Sequence, residues 1–192
     1  MKKKILCLML ALTLSVGCFA ACGSETKESG SESKSESSSA SDEDGLATVT
    51  PAQPEEDISA VIKSLKEKML EADSGLPVMS VVNSDSEGAE SLFEYLALFD
   101  YSKVQGYFFA YAAEGTAEEV ALVRLYDEAD KTALKKALEE HKKTRVAQFK
   151  QYKPEETELA ESAKIIDDGV YVLYIACKNP DEVKKAFTDS EK

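Results

Sequence analysis

Tryptophan is absent from the 192 residues, histidine occurs once, and positive charge is scarce: 23 Lys and Arg stand against 36 Asp and Glu, a net charge of −13. That deficit argues against nucleic acid as a partner, because phosphates need a basic footprint. One His and four scattered Cys leave too few ligands for a metal centre, so neither a metal nor another cofactor is expected. A Gly-rich phosphate loop, a Gly-x-Ser-x-Gly elbow and a His-Glu-x-x-His pair are all missing. The length fits one domain with accessory segments.

The long apolar run is N-terminal. Lys2, Lys3 and Lys4 precede an uncharged stretch, Ile5 to Ala21, which ends in Phe19-Ala20-Ala21-Cys22-Gly23-Ser24. Charge, apolar core and small residues in that order make a secretory signal. An uncleaved anchor is the alternative, at the lower edge of what crosses a bilayer. Phe19-Ala20-Ala21-Cys22 resembles a bacterial lipobox, with Cys18 a weaker competing site. The resemblance implies cleavage before Cys22, lipidation of its thiol (diacylglyceryl, palmitate-type chains) and a membrane-anchored lipoprotein. Two acyl chains suffice for stable anchoring where one is marginal. The expected location is therefore the extracytoplasmic face of the cell membrane. Cys7 and Cys18 leave with the signal, so Cys177 is the thiol left over and no intramolecular disulfide forms. Cys177 lies in an apolar strand-like run and reads as a buried small hydrophobe.

Residues 23–57 contain no aromatic residue and few aliphatic ones, but nine Ser and ten Asp and Glu. Such a composition cannot bury enough apolar surface to offset chain entropy, which predicts a disordered tether. Ser glycosylation or contact with the cell wall is the sharper alternative for this stretch. The domain organisation is then signal 1–21, lipidated Cys and tether 22–57, and a single domain over 58–192.

Within that domain, Asp57 can cap a helix with Ile58, Val61, Ile62, Leu65 and Met69 on one face, ended by Gly75 and Pro77. Residues 77–82 read as a short strand or a covering loop. A second helix is expected over 89–98, with Leu92, Phe93, Leu96 and Phe99 inward. Residues 106–113 and 119–126 read as strands, with Tyr107, Phe109 and Tyr111 on one face of the first. A long helix follows over 131–152, opened by Asp130 and stopped by Pro154. Two further strands, 163–166 and 170–178, flank the hairpin signal Asp167-Asp168-Gly169. A last helix covers 181–187. The order from residue 106 is two copies of a β-β-α unit. The expected fold is α+β: a four-stranded, mainly antiparallel sheet with helices packed on one face, preceded by two N-terminal helices.

Three stretches carry a family resemblance: Ala117-Glu118-Glu119-Val120-Ala121, Phe149-x-x-Tyr152-x-Pro154-Glu155, and Ala163-Lys164-Ile165-Ile166-Asp167-Asp168-Gly169-Val170-Tyr171. Over roughly residues 58–188 the chain resembles a domain family of unknown function found in lipoproteins of Gram-positive, clostridia-like bacteria. The resemblance implies a cell-surface setting and assigns no activity.

At 100° per residue, Leu134, Leu138, His141, Arg145, Phe149 and Tyr152 fall on one stripe of the long helix. A His and an Arg inside an apolar stripe satisfy buried acceptors or a carboxylate, or else form a polar notch with Tyr152 that recognises an anion. A Cys177–His141 dyad is disfavoured, because a reactive Cys needs an accessible, electropositive setting. Asp127-Glu128-Ala129-Asp130 lacks the spacing of a calcium loop and reads as a turn with a helix cap. Two functions remain. One is a non-catalytic binding or accessory module of the cell envelope, with an envelope protein, wall polymer or small solute as partner. The other is an extracytoplasmic hydrolase working through paired carboxylates, without an assigned catalytic residue.

Overall fold

A computed structural model describes residues 56–191. The signal, Cys22 and the tether up to residue 55 lie outside the described residues. Helix α1 (Ile58–Ala72) starts where the Asp57 carboxylate accepts the Ala60 N–H at 3.1 Å, and buries Ile62, Leu65 and Met69. Then follow β1 (Met79–Asn83), α2 (Ala89–Phe93), β2 (Val104–Ala112), β3 (Glu119–Leu125) and α3 (Lys131–Tyr152). The chain ends with α4 (Thr157–Glu161), β4 (Lys164–Asp168), β5 (Tyr171–Ala176) and α5 (Pro180–Ser190). Among the described residues, no helix is long and apolar enough to cross a membrane.

The sheet has five strands in the order β1-β2-β3-β5-β4, each pair antiparallel. The expected count of four is corrected by residues 79–83, which pair along β2 from Met79 opposite Ala112 to Asn83 opposite Phe108. Five residues bounded by Pro77 and a Ser-Asp-Ser loop carry too little alternation for sequence alone to decide between strand and loop. The β4–β5 hairpin turns where expected, with Gly169 at φ 52°. That left-handed conformation suits Gly.

Helices on one face is the second correction, since both faces are covered. On one side Tyr107, Phe109, Ala121, Val123, Val172 and Tyr174 lie beneath α2 and α3. On the other, Phe108, Ala110, Val120, Leu122, Leu173 and Ile175 lie beneath α1 and α5. The physical reason is in the central strands. Val120-Ala121-Leu122-Val123 and Val172-Leu173-Tyr174-Ile175 are apolar at every position, and a strand apolar on both faces must be covered twice. The two β-β-α units are present, but they join through β3 and β5, and their helices α3 and α5 go to opposite faces.

The second N-terminal helix is shorter than the expected 89–98. Its ladder breaks at Tyr95 and Leu96, whose N–H groups reach carbonyls three residues back, on Leu92 and Phe93. Phe93 and Leu96 are buried as expected, while Leu92 and Phe99 are half-buried.

Candidate functional site

Strand parity aims Glu119, the first residue of β3, at the same face as Ala121 and Val123. Its carboxylate therefore lies under α3, with the residue 2% exposed. A lone buried carboxylate is costly unless charge partners surround it. On α3, Leu134 and Leu138 pack on the sheet, and the next two positions of that stripe, His141 and Arg145, both reach Glu119. His141 Nε2 lies 2.8 Å from Oε2, and Arg145 Nε lies 2.7 Å from Oε1. The second contact is an ion pair whose N–H points off the oxygen. Arg145 Nη1 donates to Gln148 Oε1 at 3.1 Å, and its guanidinium lies over the Phe149 ring at 4.7 Å. The His141 ring stands edge-on between Phe109 and Tyr174. Burial, with the nearby Glu119 charge, pushes the Tyr174 phenol up, so it stays protonated.

This cluster forms one wall of a trough of about 660 Å³. Val82, Phe109 and Tyr111 make its floor, and Leu92, Tyr95, Thr144 and Gln148 line its sides. An apolar floor with a few fixed polar groups is the usual make-up of a binding site. Glu119 is already engaged by two bases, so the wall is polar yet nearly balanced in charge. It offers the remaining N–H groups of Arg145 as hydrogen-bond donors.

Of the three residues expected in a notch, His141 and Arg145 come together and Tyr152 does not. Tyr152 is 81% exposed. By Phe149 the helix has run past the sheet and packs on Ala117 and Ala160 instead, so the stripe loses its floor. Cys22 lies outside the described residues. Asp127 accepts the Ala129 N–H at 2.8 Å, while Asp130 pairs with Lys103 at 2.5 Å rather than capping α3 through its side chain. The residue that sequence reasoning missed is Glu119. Its signal was an acid directly before the apolar run Val120-Ala121-Leu122-Val123.

A second, shallower cleft of about 490 Å³ gathers Glu118, Glu155, Glu156 and Glu158 beside Lys164 and Lys178. Glu156 Oε2 accepts the Ala117 N–H at 3.0 Å, and Glu118 is buried with Oε2 lacking a hydrogen-bond partner. Among the described residues, no group of three or more His, Cys, Asp or Glu is arranged to hold a metal ion.

The fold and trough thus define an α+β domain that carries an open, partly apolar trough on one face of its sheet. Residues 82–177 match the family described as a domain of unknown function, DUF4358, and the chain belongs to that family. The match is narrower than the expected 58–188. It takes in Glu119, His141 and Arg145, and leaves out α1 and α5. No curated protein and no solved structure matches the chain.

Proposed function

We propose that the chain is a non-catalytic binding or accessory module of the cell envelope. It is anchored on the extracytoplasmic face by lipid on Cys22 and binds through the trough over Phe109 and Tyr111. The observation that carries the binding reading is the trough itself, whose floor leaves the Tyr111 ring part-exposed above the buried Phe109, beside the Glu119–His141–Arg145 wall. The anchoring reading rests on the lipobox-like Phe19-Ala20-Ala21-Cys22 after an apolar signal core. It also draws on the resemblance to lipoproteins of Gram-positive, clostridia-like bacteria. Envelope protein, wall polymer and small solute all suit an open trough, whereas the acidic chain repels nucleic acid.

The test has two arms. Mass spectrometry of the N-terminal peptide finds diacylglyceryl on Cys22, and protease added to intact cells removes the domain. Titration of the full chain with solubilised envelope material moves the amide resonances of Tyr111, Thr144 and Gln148. An unmodified Cys22 together with protection from external protease ends the anchoring reading, and unmoved trough resonances end the binding one.

The alternative, a hydrolase working through paired carboxylates, draws on the Glu118 cleft, where acids gather around a buried carboxylate. It requires Glu118→Gln to abolish hydrolysis of an envelope polymer while the fold remains intact.

A further inference from the structure

The two faces of the sheet are covered unequally. One carries α1 and α5, helices of 15 and 11 residues. The other carries α3, 22 residues long and packed over β5 and β4, and then α2, only five residues long. After Phe93 the chain passes as a turn over 94–96 and without regular structure at Ala97 and Leu98, so β1 and β2 lack a full second helix on this face. What remains is a groove between segment 94–98 and α3, continuous with the trough through Tyr95, His141 and Thr144.

Along α3 the groove is lined by Ala133, Lys136, Ala137, Glu140, Thr144 and Gln148. That three-and-four spacing is a single helix face, and at 1.5 Å per residue it runs about 22 Å. Ala133 and Ala137 permit close approach. On the opposite wall stand Tyr95 and Leu98, 74% and 84% exposed. Most α3 cations are already paired: Lys131 and Lys135 with Asp167, Lys143 with Glu140, Arg145 with Glu119, Lys150 with Glu161. Lys136 and Glu94 line the groove from opposite sides; among the described residues Glu94 forms no ion pair, and Lys136 has only the longer-range attraction of Glu140, which is itself paired with Lys143.

We propose that this groove receives an amphipathic α-helix of about 15 residues from a partner protein, which supplies the second helix that this sheet face lacks. The inference rests on the reading of the trough as a binding surface. The apolar stripe of the incoming helix covers Tyr95, Leu98 and Tyr111; an acid on one flank meets Lys136 and a base on the other meets Glu94. A neutral glycan fits less well. It leaves Glu94 unpaired and Lys136 with only the distant Glu140, and it meets Leu98 and Val82 where it needs hydrogen-bond partners.

The probe is a synthetic helical peptide with Leu at i, i+3, i+4 and i+7, Glu along one flank and Lys along the other. A scrambled peptide of the same composition is the control. Binding to the full chain is read by fluorescence anisotropy, and helix formation by circular dichroism. The patterned peptide binds at least about tenfold tighter than the scrambled one and gains helicity. Leu98→Asp weakens binding about tenfold with an unchanged melting temperature, since Leu98 is exposed. Lys136→Glu makes both walls acidic and shifts the preference to a peptide with Lys on both flanks. Equal affinity for patterned and scrambled peptides, or indifference to Leu98→Asp, overturns the proposal. If an N-acetylglucosamine tetramer moves the Tyr95 and Tyr111 resonances while the peptides do not bind, the helix is wrong and the binding trough stands. If neither these probes nor envelope material moves them, both fall.

Discussion

Asp73, just after α1, grips Asn179, 106 positions later at the start of α5, with both carboxylate oxygens. Oδ1 accepts the side-chain amide at 2.8 Å and Oδ2 accepts the backbone N–H at 3.1 Å. Oδ1 also accepts the Gly75 N–H at 2.8 Å. The clasp joins the two helices that cover one face of the sheet.

Asp73→Ala therefore costs about 2–4 kcal/mol, because it leaves buried donors without partners. The pH dependence has a definite sign. Burial alone raises the Asp73 carboxyl; the hydrogen bonds from Asn179 and Gly75 outweigh it and hold the group below its ordinary 3.8. A depressed folded value stabilises the fold fully above the unfolded value, and the contribution is lost as pH falls through the folded one. Urea melts of wild type and Asp73→Ala then differ most near neutral pH and converge under acid. A gap that stays constant down to about pH 3 means the ionised carboxylate is not its source.

Glu119 predicts a different pattern. Glu119→Gln leaves His141 and Arg145 facing each other without the anion, which costs about 3 kcal/mol. His141→Ala alone leaves Arg145 to hold the charge and costs less. The double-mutant cycle of Glu119→Gln with His141→Ala should show a coupling above about 1 kcal/mol, measured by chemical denaturation. Additivity within about 0.5 kcal/mol would mean the 2.8 Å contact does not hold in solution.

The helical periodicity of α1, α3 and α5, the β4–β5 turn and the α+β class were all legible in the sequence, because each rests on local pattern and turn chemistry. The fifth strand was not, since five residues of β1 carry no period that separates strand from loop. The two-sided cover was present in the unbroken apolar runs of β3 and β5, which demand burial on both faces. Part of the site was legible too: a His and an Arg in an apolar stripe stood out as a polar pair, either satisfying a buried acceptor or carboxylate or forming a notch for an anion. Which acid they meet depends on the parity of a strand 22 positions away, and helical spacing cannot supply that. Tyr152 shared the stripe angle but not the floor, because a helix wheel does not record where the sheet ends.

Gly106 offers a packing test. A Cβ at this position falls 2.9 Å from Ile58 Cγ2 and 3.1 Å from Ile62 Cγ1, so α1 rests directly on the β2 backbone. Gly106→Ala forces the helix outward and costs about 1–3 kcal/mol as overpacking. In an Ile58→Ala background the closest clash is gone, and the same change should cost about 1 kcal/mol less. Thermal melts of the four variants measure this. Equal penalties in both backgrounds would show that backbone freedom, not the contact with α1, keeps Gly at this position.

Cys177 predicts a kinetic result. Burial pushes its thiol up to about 12; the Asn179 N–H opposes that rise, and the neighbouring Asp73 and Glu118 add to it. At pH 8 its thiolate is then only about one part in ten thousand, where a free thiol is substantially ionised. The side chain is buried as well, so reagent must wait for the α5 side of the sheet to open. Alkylation at Cys177, mapped by peptide mass spectrometry, should be at least about a thousandfold slower in the native chain than in denaturant at the same pH. Asp73→Ala, by loosening the clasp between α1 and α5, should speed it in proportion to its loss of stability. Rapid stoichiometric labelling of the native chain would contradict both the burial and the raised thiol.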